Sequence, residues 1–267
     1  MSALAGHVVI LTGASEGIGR ALALALAPQR LSLVLAARNA ERLAELAREC
    51  ESVGSAALVV PTDVTSESQC RALIDAAVAR FGRIDVLINN AGGTMWSRFD
   101  ALTDWSVFEH LMRLNYLSCV HLTGCALPWI RQTQGRLVAV SSMAGLTGVP
   151  ERTAYCGSKH AIVGFFDSLR IELRGTGVSL TVIAPDFVRT ETHKRALGPD
   201  GRPLGASPMQ QDRIMSAEEC ARLIVRAIEK RQRLLLTSAR GRLGRWLKLI
   251  APDVIDRIAA RAIRERH

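Results

Sequence analysis

The chain has 267 residues, 48% hydrophobic and only 4% aromatic, so a single large core must be filled by aliphatic side chains. Its formal net charge is +9, but residues 230–267 hold eleven Lys and Arg against Asp253, Asp256 and Glu265, which leaves the preceding 229 residues close to neutral and without the basic or aromatic pattern of a nucleic-acid-binding body. The six cysteines form no CxxC pair and no His-rich spacing, which argues against a metal site or a disulfide framework and for reduced thiols inside a cell.

The first apolar run, Val8 to Leu11, has no basic segment before it and leads into a glycine loop. It predicts a strand and not a signal peptide. Elsewhere no stretch reaches ~18 uninterrupted apolar residues, so no transmembrane helix is expected. A helix is predicted over Gly17 to Ala27, a strand over Leu31 to Ala36, a helix over Glu41 to Val53 and a strand over Ala56 to Val60. A helix over Ser66 to Phe81, ended by Gly82, precedes a fourth strand at Val86 to Asn89. Long helices are predicted over Trp105 to Leu127 and Tyr155 to Arg174, with strand Arg136 to Ser141 between them. Strand Val178 to Ala184, helix Ala217 to Lys230 and strand Arg233 to Thr237 complete the pattern.

Short aliphatic strands alternating with helices predict an α/β fold: one Rossmann-like, doubly wound parallel sheet with helices on both faces. Residues 1–238 are expected to form this single domain. Residues 190–215, rich in Gly, Pro and charge, predict a surface loop or substrate lid. Residues 239–267 read as a basic C-terminal extension.

Thr12-Gly13-Ala14-Ser15-Glu16-Gly17-Ile18-Gly19 joins the first strand to the first helix. Glycines there let the backbone turn tightly and approach a pyrophosphate, which gains from the N–H groups at the helix start. The contacts expected are Gly13, Ser15, Gly17, Ile18 and Gly19. An NAD site wants an acid at the end of the second strand to hold the ribose 2′-hydroxyl. The chain has Ala37-Arg38-Asn39 instead, and the forked donors of Arg38 suit a 2′-phosphate. The expected cofactor is therefore NADP(H).

Three more motifs follow: Asn89-Asn90-Ala91-Gly92, Ser141-Ser142, and Tyr155-Cys156-Gly157-Ser158-Lys159. Tyr155 and Lys159 are i and i+4 and share a helix face. An ammonium near a phenol favours phenolate and lowers the tyrosine pKa, so Tyr155 is suited to pass a proton to or from a reacting oxygen. Ser142, just past a strand, is placed to hydrogen-bond that oxygen.

With the opening loop, these motifs resemble the short-chain dehydrogenase/reductase family from about Gly6 to Thr237. The resemblance implies a catalytic set of Asn115, Ser142, Tyr155 and Lys159. It also implies cofactor contacts at Asp63 and Val64, at Asn90, Ala91 and Gly92, at Tyr155 and Lys159, and at Pro185, Val188 and Thr190. The usual Pro-Gly of the family is here Pro185-Asp186, which puts the shape of that loop in question. The activity implied is hydride transfer between NADP(H) and a carbonyl or alcohol. Relatives pair through two long helices, so a homodimer or homotetramer is expected.

Met95, Trp96, Leu146, Val149, Pro150 and Phe187 are apolar pocket candidates and point to a lipophilic ketone, aldehyde or secondary alcohol. In the tail, Val254, Ile255, Ile258, Ala259, Ala262 and Ile263 form one helical face, with Arg257, Arg261, Arg264 and Arg266 elsewhere. That pattern fits a helix on an anionic membrane surface, with Trp246 at the interface, and equally a helix packed on the body or on a partner subunit. The expected location is cytoplasmic, peripheral to a membrane in the first case. A competing function is a dinucleotide-sensing regulator or scaffold that docks through its basic tail. The complete set of Asn115, Ser142, Tyr155 and Lys159 argues against it.

Overall fold

The computed structural model describes residues 3–206 and 214–264, and side chains up to residue 261. Among these, seven strands form one parallel sheet in the order β3-β2-β1-β4-β5-β6-β7. The strands are β1 (Val8–Thr12), β2 (Ser32–Ala37), β3 (Ala56–Pro61), β4 (Val86–Asn89), β5 (Arg136–Val140), β6 (Ser179–Ala184) and β7 (Leu234–Leu236). Helices α1 (Gly17–Leu26), α2 (Ala40–Ser52) and α3 (Glu67–Phe81) connect the first four strands.

Alternation along the strands divides the core. In β1, Val9 and Leu11 face a cluster with α1 and α2, while Val8 and Ile10 face one with α3. A parallel sheet buried on both faces requires such unbroken aliphatic strands. Helices α2 and α3 start where short polar side chains cap free N–H groups: Asn39 accepts from Arg42 N and Ser66 from Gln69 N. Gly82, at φ +73°, takes the left-handed conformation that ends α3.

The predicted Trp105–Leu127 helix is three pieces. Helix α4 (Ser106–Leu111) passes through a π-helical turn, Met112–Leu117, into α5 (Ser118–Gln132). Helix α5 runs through Pro128, where the sequence pattern had placed its end. Proline removes one helical hydrogen bond, but Leu122, Ala126 and Ile130 are buried on the same face and carry the helix past it. Helices α6 (Thr153–Glu172) and α7 (Ala217–Glu229) follow, α7 packing beside α1.

The tail forms a hairpin of α8 (Ala239–Ile250) and α9 (Pro252–Arg264). Helix α8 was not legible from its glycines, yet Ser238 caps it by accepting from Gly241 N at 2.9 Å. A Cβ at Gly241 would lie 2.9 Å from Met143 Sδ, so glycine lets α8 pack closely on the body. Ile255 and Ala259 of the expected apolar face of α9 are half-buried; Ala262, Ile263, Arg264 and Arg266 lie outside the described side chains. The expected lid is largely irregular, with a short turn at Glu191–His193; residues 207–213 of it lie outside the described residues.

Candidate active site

The sheet order reverses between β1 and β4, and the loops leaving these strands part there to open a cleft. Thr12 fixes both loops. Its hydroxyl donates to Ile88 O and accepts from Asn90 N at 3.0 Å and Ala91 N at 3.1 Å, while Asn90 Nδ2 donates to Thr12 O at 2.9 Å. Gly13 has φ +64°, and a Cβ on it would stand 2.8 Å from Ala91 Cα. A Cβ on Gly19 would collide with the Gly13 carbonyl oxygen. Only glycine fits either place.

Helix α1 starts at this loop with no acid in its first turn. Glu16, just before it, directs its carboxylate to Arg42 at 3.2 Å and to Arg195. The N-terminal N–H groups of α1 are therefore left for an anion, and Gly13, Ser15, Gly17, Ile18 and Gly19 line the cleft there. This glycine cradle fits a dinucleotide pyrophosphate. Arg38, Asp63 and Val64 line the same end, together with Arg42, His110 and Arg113. Hydrogen bonds from Thr65 hold the Asp63 carboxyl below its usual range, with help from the Arg38 charge. Arg42, His110 and Arg113 were missed by sequence reasoning. Arg42 was detectable in principle, because it lies one turn into α2, beside the end of β2.

The catalytic candidates lie across the cleft. Strand β5 ends at Ser141-Ser142, and α6 presents Tyr155 and Lys159. The Ser142 hydroxyl accepts from Ala144 N at 3.1 Å and lies beside the Tyr155 phenol. Lys159 is only 4% exposed; its ammonium donates to Val140 O at 2.9 Å and lies 5.7 Å from the Tyr155 ring centroid. Burial pulls Lys159 down to about 8. Burial also raises the Tyr155 phenol, opposed by the Ser142 hydrogen bond and the Arg152 charge. The phenol is thus not brought below its ordinary value, contrary to the simple lysine–phenol argument: desolvation outweighs the charges around it.

Asn115 does not reach the cleft wall. From the π-helical turn, its Oδ1 accepts Gly93 N–H at 2.8 Å, and its Nδ2 donates to Gly93 O at 3.1 Å and Ser158 Oγ at 2.8 Å. A Cβ on Gly92 would press to 2.9 Å from Asn115 Oδ1 and 3.4 Å from Lys159 Nζ. Asn90, Ala91 and Gly92 line the cleft, as do Pro185, Val188 and Thr190.

The whole cleft measures about 1780 Å³. Trp96, Val149, Pro150 and Phe187 line its far end, closed by Leu243 and Leu247 of α8 and by Ile255, Ile258 and Ala259 of α9. Met95 and Leu146 are not brought to it. Met95 is buried in a satellite core with Leu102, Val107 and Leu111, and the Leu146 carbonyl accepts from Lys248 Nζ at 3.1 Å. Asp186 keeps ordinary backbone angles and uses its carboxylate instead: it accepts from Ser238 Oγ at 2.8 Å and lies 3.9 Å from Arg240 Nε. The residue that departs from the Pro-Gly pattern thereby ties down the start of α8.

Residues 7–198 match the model of the short chain dehydrogenase family. The chain is 35% identical over 262 residues to the 11-beta-hydroxysteroid dehydrogenase A of Sesamum indicum, covering 95% of this chain and 74% of that protein. It is 36% identical over 274 residues to dehydrogenase/reductase SDR family member 7B of Mus musculus, covering 98% and 83%. Among solved structures, a short-chain dehydrogenase/reductase from Burkholderia phymatum in complex with NAD superposes with a TM-score of 0.83 at 26% identity, covering 95% of this chain and 96% of that one. Motifs, fold and relatives agree, and the chain belongs to the short-chain dehydrogenase/reductase family of nicotinamide-dinucleotide oxidoreductases acting on CH–OH groups.

Proposed function

We propose that this protein is an NADP(H)-dependent reductase of lipophilic ketones or aldehydes, reversible as a secondary-alcohol dehydrogenase. The observation that carries this reading is Tyr155 with Ser142 beside it and Lys159 one turn away, across one cleft from a glycine cradle and Arg38. A bound nicotinamide dinucleotide supplies the hydride. Gly13, Ser15, Gly17, Ile18 and Gly19 hold its pyrophosphate, and Arg38 with Arg42 favours a 2′-phosphate.

In reduction, Tyr155 donates its proton to the substrate oxygen as negative charge grows there. Ser142 accepts from Ala144 N, which leaves its own O–H to donate to the same oxygen. The Lys159 ammonium then stabilises the phenolate left behind. Asn115 holds Gly93 and Ser158, and through them the loop after β4 and the helix that carries the proton donor. The α8–α9 hairpin, as an extension capping the catalytic body, lines the substrate end with aliphatic side chains and favours a bulky apolar substrate. One of the relatives named above bears a hydroxysteroid dehydrogenase name, which fits such a substrate.

The outer face of α8 supports peripheral attachment to an anionic membrane. Trp246, Leu249 and Ile250 are exposed beside Arg242 and Arg245. Among the described residues no helix is long and apolar enough to cross a membrane. Pairing of subunits through α5 and α6 is the assembly we infer. Two measurements test the function: turnover of NADPH and NADH against a panel of lipophilic ketones and aldehydes, and co-sedimentation with anionic vesicles. NADPH-preferring turnover supports the reading. Tight NADPH binding with no turnover on any panel member favours a dinucleotide sensor instead.

A further inference from the structure

Arg152 stands immediately before α6 and three residues before Tyr155, and it is only 5% exposed. Arginine is seldom buried so far unless its charge is used. Its guanidinium carbon lies 4.1 Å from the Trp96 ring centroid, 5.6 Å from that of Phe187 and 5.9 Å from that of Tyr155. Nη1 donates to Thr94 Oγ1 at 3.3 Å. Trp96 is itself held by its Nε1–H, which donates to Glu151 Oε2 at 2.7 Å. Stacking and hydrogen bonding together fix a planar cation in the wall of the cleft.

Two cations therefore flank the Tyr155 ring. Lys159 is turned toward Val140 O, and its desolvated ammonium loses its proton near pH 8. A guanidinium stays charged at every working pH. Apart from the Glu151 carboxylate, the other groups around the site carry little charge. Burial raises the thiols of Cys156 on α6 and of Cys119, which faces Lys159 from α5, so both stay neutral. Burial lowers His193, which faces Arg152 from the lid, and keeps it neutral too. Ser142 contributes a hydroxyl, and the Glu151 carboxylate is engaged with the Trp96 indole.

We propose that Arg152 is a positioning residue for the reaction, a fixed cation that stabilises the Tyr155 phenolate and so sets the pH at which Tyr155 exchanges its proton. The proposal rests on the reading of Tyr155 as the acid–base group. It adds a residue outside the Ser142, Tyr155, Lys159 and Asn115 set.

The chain has two tyrosines, so phenolate absorbance in a Tyr116→Phe background reports Tyr155 alone. Titration by rapid pH jump avoids alkaline unfolding. Arg152→Met is expected to raise the Tyr155 midpoint by about one pH unit, and Arg152→Lys to recover most of that shift. The pH profile of kcat/KM for alcohol oxidation is expected to move up by the same amount. Arg152→Gln, a shorter neutral side chain that retains an N–H donor, carries the same expectation if the Met variant does not fold. A folded neutral variant with an unmoved midpoint, losing activity equally at every pH, would overturn the proposal. Full activity in Tyr155→Phe would instead overturn the acid–base reading, and the titration would still report the effect of Arg152 on the phenol.

Discussion

Asn115 Nδ2 donates to Ser158 Oγ at 2.8 Å, and Asn115 Oδ1 accepts Gly93 N–H at the same distance. One buried amide thus joins the π-helical turn, the loop after β4 and the helix of Tyr155 and Lys159. Asn115→Ala strands partners for these groups inside the protein. The expected cost is about 2 kcal/mol in urea unfolding, with a fall in kcat of roughly tenfold or more. Unchanged kcat in a destabilised variant would confine Asn115 to folding.

Arg38 and Arg42 line the same cleft as the glycine loop. Arg38→Ala is expected to weaken NADPH binding by roughly 10- to 100-fold and to leave NADH binding nearly unchanged, as loss of a charge-assisted contact to a phosphate requires. Fluorescence titration with both cofactors measures this. An equal loss for the two would mean that Arg38 does not read a 2′-phosphate.

Lys159 titrates near 8 in the folded protein against an ordinary value of 10.5. Between those values the unfolded chain binds more protons, so folding stability from this group rises with pH across that window. Below it, the buried cation is destabilising. Lys159→Met is therefore expected to be inactive yet more stable at pH ~7, by on the order of 1 kcal/mol, with the advantage shrinking as pH rises toward ~10. Urea unfolding at the two pH values checks the sign.

Asp186 anchors the capping hairpin through Ser238 and Arg240. Asp186→Gly is expected to loosen α8. Limited proteolysis should then cut within 239–264 sooner, and KM for apolar substrates should rise several-fold with NADPH affinity unchanged. An unaltered KM would separate the hairpin from substrate binding.

Most of the sheet and helices were legible because each strand is a short aliphatic run and several helices, α2, α3 and α7 among them, have a polar cap or a glycine stop. The cofactor loop was legible for the same local reason. What sequence periodicity missed is decided by distant partners. The π-helical turn places Asn115 against Gly93 and Ser158, Pro128 is carried by burial around it, and α8 depends on a glycine that clears Met143. Apolarity alone pointed to Met95 and Leu146, and it does not distinguish a cleft wall from a satellite core, where Met95 lies, or from a half-buried turn, where Leu146 lies. Arg152 drew no notice because nothing local marks a charged residue as buried.

The most direct test is single-turnover reduction of a lipophilic ketone by NADPH with wild-type protein and Tyr155→Phe. The account predicts that the mutant binds NADPH within about twofold of wild type while its rate falls by at least ~10²-fold, the contribution expected of a positioned general acid. A mutant that reduces the ketone at the wild-type rate would show that Tyr155 is not the proton donor.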